Sequence, residues 1–257
     1  MATYVISDLH GQYKVFMKLL EKVGFSDKDS LYMLGDAIDR GPDGIKILRY
    51  VMNEPNIHFI LGNHEFMMLN GVALDGSASA NYEKLPGKDA DIWIYGNGGN
   101  KTYYKYKLLK KNERLKILEW LQSCPLSTKV EVNKTVYLLT HSFFKEDKID
   151  IPYRDIDYQT AFEIVWNSPF RRDVYADPSE YARYMPWKFV IGHVPIYRAN
   201  PEYRELAPFI TQNIIDIDGG CANRDSVGSD KRGGILLRLE DMQAFTCTLA
   251  ECRCIKV

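Results

Sequence analysis

The sequence predicts a mixed α/β domain, and three observations carry that prediction. Short apolar runs at Thr3–Ile6, Leu31–Leu34 and Ile57–Leu61 alternate with segments whose apolar residues recur at helical spacing. Each run ends in a polar loop, where open α/β sheets collect their ligands. No Pro/Gly/Ser-rich linker divides the 257 residues, so one domain is expected over 1–257, with a mainly helical, cap-like segment at about 66–125.

The first run, Thr3-Tyr4-Val5-Ile6, leads into Ser7-Asp8-Leu9-His10-Gly11. In extended backbone Asp8 and His10 share a face, so one strand end delivers a carboxylate and an imidazole together. A helix follows, with Val15, Phe16, Leu19, Leu20 and Val23 as its apolar stripe and Gly24 as its stop. The second run opens onto Gly35-Asp36-Ala37-Ile38-Asp39-Arg40-Gly41. Asp36 stands where a carboxylate can bridge two cations, and Arg40 can fork two hydrogen bonds to a phosphate or a carboxylate. Taken alone, this loop reads equally as a capping turn before the helix that Pro42 opens. That helix turns Ile45, Leu48 and Val51 inward and stops at Asn53 to Pro55; strand three then ends in Gly62-Asn63-His64-Glu65.

Within the cap-like segment, Asn97 to Thr102 is a turn feeding a helix, and Asn112 to Cys124 is a helix closed by Pro125. Trp93, Tyr95, Tyr103, Tyr104 and Tyr106 either stack over a substrate or pack a helical core, the commoner use. Ser127–Val132 and Thr135–Thr140 flank Asn133-Lys134 as a hairpin whose second strand delivers His141. A helix over Asp157–Trp166 leads to the polar stretch Ser168–Asp173, and the strand Lys188–Ile191 ends in Gly192-His193. Closing strands are expected at Asn213–Ile217, Gly234–Leu239 and Gln243–Leu249, the first followed by Asp218-Gly219-Gly220.

Lys and Arg number 33 against 34 Asp and Glu, so no global field draws nucleic acid or an anionic membrane, and any phosphate binding must be local. No apolar run reaches membrane length, and the first residues lack the pattern of a secretion signal, so a cytoplasmic protein is expected. Five cysteines suit reduced thiols; Cys247, Cys252 and Cys254 read as strand thiols more readily than as a soft-metal site.

A lone histidine after an apolar run is usually structural. Here Asp8, His10, Asp36, Asn63, His141 and His193 all follow such runs, and they offer oxygen and imidazole donors without thiolate. That set suits manganese, iron or zinc, and with one shared carboxylate it suffices for two metals about 3.5–4 Å apart. Asp8-Leu9-His10, Gly35-Asp36-x-x-Asp39-Arg40-Gly41, Gly62-Asn63-His64-Glu65, His141 and Gly192-His193 together resemble the signature of the calcineurin-like metallophosphoesterases. The Arg40 and Glu65 forms resemble the phosphoprotein phosphatase branch, which includes bacterial serine/threonine phosphatases and diadenosine tetraphosphate hydrolases.

The resemblance implies a β-sandwich flanked by helices, with a dinuclear metal site at strand C-terminal ends. It implies Asp8 and His10 on one metal, Asn63, His141 and His193 on the other, and Asp36 bridging. The ions would be two divalent or trivalent metals, manganese first, with iron or zinc as alternatives. It further implies His64 as general acid, Asp39 as the group that orients it, and Arg40 gripping phosphate with help from the Asn63 amide. The family often adds a second phosphate-gripping arginine shortly after a tryptophan. Trp166-Asn167-Ser168 lacks one nearby, which leaves Arg171 or Arg172.

The expected activity is metal-dependent hydrolysis of phosphate monoesters, on phosphoserine or phosphothreonine proteins or small phosphoesters, by attack of a metal-bridging hydroxide. The alternative is a dinucleoside polyphosphate (diadenosine tetraphosphate) hydrolase, for which the aromatic segment would suit adenine. A nuclease fits poorly: such relatives carry a histidine where this chain has Pro195, and no basic stripe is present. A catalytically lapsed phosphopeptide-binding protein is disfavoured because every ligand, Asp39 and His64 are retained. The expected partner is a phosphorylated protein or small phosphoester, with no nucleic acid and no membrane.

Overall fold

A computed structural model describes residues 1–169, 185–222 and 227–253. The β-prone runs build two five-stranded sheets. In the first, β1 (Thr3–Ile6) pairs in parallel with β2 (Ser30–Met33), which pairs in parallel with β3 (Ile57–Phe59). The second begins with the antiparallel hairpin of β4 (Ser127–Val132) and β5 (Thr135–Thr140), turned by Asn133 and Lys134 at φ 50° and 64°. Beside β5 lies β6 (Lys188–Ile191); β7 (Phe209–Thr211) and β8 (Ile214–Asp216) complete that sheet in the order β4-β5-β6-β8-β7. The chain then returns to the first sheet with β9 (Gly233–Arg238) and β10 (Gln243–Thr248), giving β10-β9-β1-β2-β3.

Side chains alternate across each strand, and both faces of both sheets are covered. Val5, Leu34, Ile60, Leu139, Val190, Ile215, Ile235 and Leu237 meet between the sheets as a sandwich core. Tyr4, Ile6, Leu31 and Met33 point the other way, into helices. Those helices are α1 (Tyr13–Val23), α2 (Gly44–Val51), α3 (Asn63–Gly71), α4 (Asn100–Tyr106), α5 (Lys111–Ser123) and α6 (Tyr158–Trp166). Two short helices, α7 (Ile196–Ala199) and α8 (Leu249–Arg253), follow β6 and β10. α1 buries Val15, Phe16, Leu19 and Leu20 and ends at Gly24, whose φ of 61° suits a residue without Cβ. The architecture is therefore an α/β sandwich of two sheets flanked by helices. Among the described residues no helix is long and apolar enough to cross a membrane.

Three details depart from the sequence expectation. β3 stops at Phe59, and Asn63 and His64 open α3 rather than sitting in a loop. The cause is a box: Gly62 is extended, and the Glu65 carboxylate reaches back to accept its N–H at 3.1 Å. α2 begins at Gly44, two residues after Pro42. The edge strand β7 was not anticipated, since three residues show no period. Of the aromatic segment, Trp93, Tyr103 and Tyr106 are fully buried core residues, whereas Tyr95 and Tyr104 are exposed. Cys247 on β10 and Cys252 on α8 place their sulfurs 3.5 Å apart. Cys254, Arg171 and Arg172 lie outside the described residues.

Candidate active site

Strand ends of both sheets meet at one cleft. β1, β2 and the start of α3 supply Asp8, His10, Asp36, Asn63 and His64; β5 and β6 supply His141 and His193, and the turn after β8 supplies Asp218. All six expected ligands converge. Asp36 lies in the middle, with Oδ2 3.5 Å from His10 Nε2 and Oδ1 3.6 Å from His141 Nε2. Asp8 Oδ1 is 3.9 Å from His10 Nε2 on one side. On the other, Asn63 Oδ1 is 2.9 Å from His141 Nε2 and 3.1 Å from His193 Nδ1.

The imidazoles are held so that lone pairs point inward. His10 Nδ1–H donates to the Ile38 carbonyl at 3.1 Å and His141 Nδ1–H donates to the Leu34 carbonyl at 2.8 Å, so that in the neutral ring the lone pair is on Nε2. The Asn63 amide oxygen is aimed at these acceptors; only with the amide turned over would its NH2 donate to His141 Nε2, His193 Nδ1 and Asp36. Asp8 Oδ1 is buried without a hydrogen-bond partner. Burial first, then Asp218, pushes the Asp8 carboxyl well above the ordinary carboxylate range; burial and Glu65 do the same to Asp36. Burial, Arg40 and His64 hold His10 well below the ordinary imidazole value. A cluster of inward lone pairs and crowded carboxylates, buried apart from half-buried His193, fits cations; the carboxylate and imidazole atoms at ligand spacing fall into two groups, Asp8, Asp36 and His141, and His10, Asp36 and His64.

The backbone is bent to present these groups. Asp8, His10, Asp36, Asp39, Arg40 and His193 all have φ between 43° and 72°, the left-handed region that costs a non-glycine residue roughly 1 kcal/mol or more. The strain is held by packing. A Cβ on Gly62 would collide with Asp36 Oδ1, and one on Gly192 with Asp8 Oδ2. Those two motif glycines are clearance for carboxylates of other motifs.

Beside the cluster sits a dyad. His64 Nδ1–H donates to Asp39 Oδ2 at 2.5 Å, and Arg40 Nη2 donates to His64 Nε2 at 2.9 Å. Nε2 also lies within ligand spacing of His10 and Asp36. Arg40 also places Nη1 3.5 Å from His10 Nε2, so its guanidinium spans both rings and approaches the His64 nitrogen more closely. Asp39 is completely buried, and burial raises its carboxyl to about 7.

The sequence alone assigned no site role to several residues. Trp93 Nε1 donates to Asp39 Oδ2 at 2.8 Å, and Thr102 Oγ1 accepts the Asp39 N–H at 2.9 Å, so the cap braces the dyad. Glu65 accepts N–H bonds from Asp36 and Ala37 at 2.9 Å, from Gly62 at 3.1 Å and from Ile38 at 3.4 Å, pinning the Asp36–Arg40 loop to α3. Arg198 on α7, with Tyr197, Trp166 and Asp218, lines the same cleft of about 310 Å³ as Arg40. Its signal was faint: a basic residue five positions past His193, with no motif of its own.

Residues 1–217 match the calcineurin-like phosphoesterase family. One relative is the symmetrical bis(5'-nucleosyl)-tetraphosphatase of Buchnera aphidicola subsp. Schizaphis graminum, 32% identical over 144 residues. That match takes in 55% of this chain and 44% of the relative, so the chain spans under half the length of the curated protein it matches. Among solved structures, a candidate diadenosine tetraphosphatase superposes with a TM-score of 0.54 at 15% identity, covering 96% of this chain and 92% of that one. A metallophosphoesterase from Sphaerobacter thermophilus gives 0.54 at 16% identity, covering 96% and 86%. Identities this low speak for the shared fold only. The match over residues 1–217 and the two-sheet architecture lead to one assignment: this chain belongs to the calcineurin-like phosphoesterases, metal-dependent hydrolases built on a dinuclear site.

Proposed function

We propose that the chain hydrolyses a phosphoanhydride of dinucleoside polyphosphates, releasing nucleoside phosphates. This reverses the ranking expected from the sequence, where phosphate monoesters came first. The observation that carries it is the pair of arginines, Arg40 and Arg198, lining one cleft around the ligand cluster. A chain of phosphates presents charge to both forks at once. The tetraphosphatase relative points the same way.

Asp8, His10 and Asp36 would hold one ion, and Asp36, Asn63, His141 and His193 the other; donors of this type suit manganese, with iron or zinc next. Bound there, the pair supplies Lewis acidity and an activated water at neutral pH. The chain's own residues do the rest. Arg40 grips the oxygens of the scissile phosphoryl group, for which its guanidinium must turn from the His64 nitrogen. Freed and protonated, His64 Nε2 donates to the leaving oxygen. Asp39 keeps the ring oriented through Nδ1 and balances its charge, and Trp93 holds Asp39 in place.

The test is turnover with manganese on diadenosine tetraphosphate, a phosphoserine peptide and an aryl phosphate, with products separated by anion exchange. The dinucleotide should show the highest kcat/KM by orders of magnitude. A phosphopeptide turned over more efficiently would overturn the reading in favour of a protein phosphatase.

A further inference from the structure

On the far side of the Arg40 turn lies a second groove of about 380 Å³, lined by Pro42, Tyr82, Lys101, Tyr103, Tyr104 and Lys105. It shares a wall with the catalytic cleft. Arg40 N–H donates to the Gly98 carbonyl at 3.4 Å, and Lys101 Nζ donates to the Arg40 carbonyl at 2.6 Å. Asn97 and Arg40 line the cleft, while Lys101 and Pro42, a few residues along the same two turns, line the groove.

The groove has the chemistry of a nucleotide site. On α4, Lys101, Tyr104 and Lys105 follow i, i+3, i+4 spacing and so share one face. Tyr103 and Tyr106 turn into the core, but Tyr104 is left 58% exposed. Lys107 Nζ lies 5.5 Å from the Tyr104 ring centroid. Three lysines and no acid are among the groove's described lining residues, in a chain whose net charge is only −1. An exposed ring beside cations is suited to a base with its phosphates.

We infer that this groove is a nucleoside subsite: it holds the leaving half of the substrate, with the base stacked on Tyr104 and the phosphates running past Lys101 and Lys105 to Arg40. This rests on the proposed dinucleoside polyphosphate activity. His64 Nε2, the donor to the leaving oxygen, lies 2.9 Å from Arg40 Nη2, and the backbone of that same arginine forms the wall toward the groove.

The experiment measures ADP and pyrophosphate as competitors of aryl phosphate hydrolysis by the manganese-loaded enzyme, so that changes in turnover cancel in the ratio of the two inhibition constants. ADP should bind more tightly than pyrophosphate. Tyr104→Ala should raise the ADP constant about ten-fold relative to pyrophosphate, the scale of one lost base stack, and Tyr104→Phe should preserve the ratio. An unchanged ratio in Tyr104→Ala, or equal weakening of both competitors, overturns the subsite. A shifted ratio in an enzyme that fails to cut diadenosine tetraphosphate would keep the nucleoside subsite and discard the proposed substrate.

Discussion

Asp39→Asn separates catalytic from structural value at one buried carboxylate. The change is isosteric, and Asn Oδ1 can still accept from His64 Nδ1 and Trp93 Nε1, which now converge on Asp39 Oδ2 at 2.5 and 2.8 Å. The new NH2 replaces Oδ1, which is buried without a partner. What disappears is the charge that balances a protonated His64. A hydrogen bond to a charged group contributes about 1.5–3 kcal/mol, so turnover should fall about ten- to a hundred-fold on poor leaving groups and less on activated ones. Stability should move the other way. Burial raises the Asp39 carboxyl from 3.8 to about 7, so the folded chain retains a proton that the unfolded chain has already lost between those values. Wild-type stability therefore falls as pH rises through that window, by at most about 4 kcal/mol. Asparagine never ionises. In metal-stripped protein, Asp39→Asn should therefore gain on wild type as pH rises from 5 to 8, measured by urea unfolding at each pH. Parallel stability curves, together with a rate loss that is flat across esters of graded leaving-group basicity, would refute this account of Asp39.

His64→Asn should keep both metals bound yet slow poor leaving groups about a hundred- to ten-thousand-fold, with less loss on activated aryl phosphates; metal analysis beside the rate series checks it. Asp36→Asn should lower occupancy at both metal positions and abolish turnover, and two tightly held ions in the purified variant would count against a bridging role. Glu65→Gln sets an NH2 against backbone N–H donors on whichever oxygen it replaces, so unfolding should show a loss of about 3 kcal/mol or more. Chelating the metals should lower Tm, since ions held at a thousand times their Kd stabilise the fold by about 4 kcal/mol, and differential scanning calorimetry reads the shift.

Much of the site was legible because its residues sit where short-range rules apply. Asp8, His10, Asp36, His141 and His193 each follow an apolar run that became a strand, and short continuous apolar runs bounded by polar turn residues announce buried strands. The β4–β5 hairpin was readable from Asn133-Lys134, and the αL stop at Gly24 from its glycine. What the sequence concealed depends on distance along the chain. Trp93 reaches Asp39 across 54 residues, and its indole looked like any core aromatic until its N–H was placed. Arg198 enters the cleft only because β6 and α7 bring it there. Sheet order was equally hidden, since nothing local says that β9 returns to pair with β1.

His193 N–H donates to Asp8 Oδ2 across 185 residues, tying the end of β6 to the end of β1 and so one sheet to the other. Closing a loop of that length costs the chain about 5 kcal/mol of entropy, paid before any ligand set is complete. The consequence is felt during synthesis. The site cannot be completed until residue 193 has been made, long after Asp8, His10 and Asp36. The first sheet is completed later still, when β9 comes to lie beside β1 and β10 beside β9.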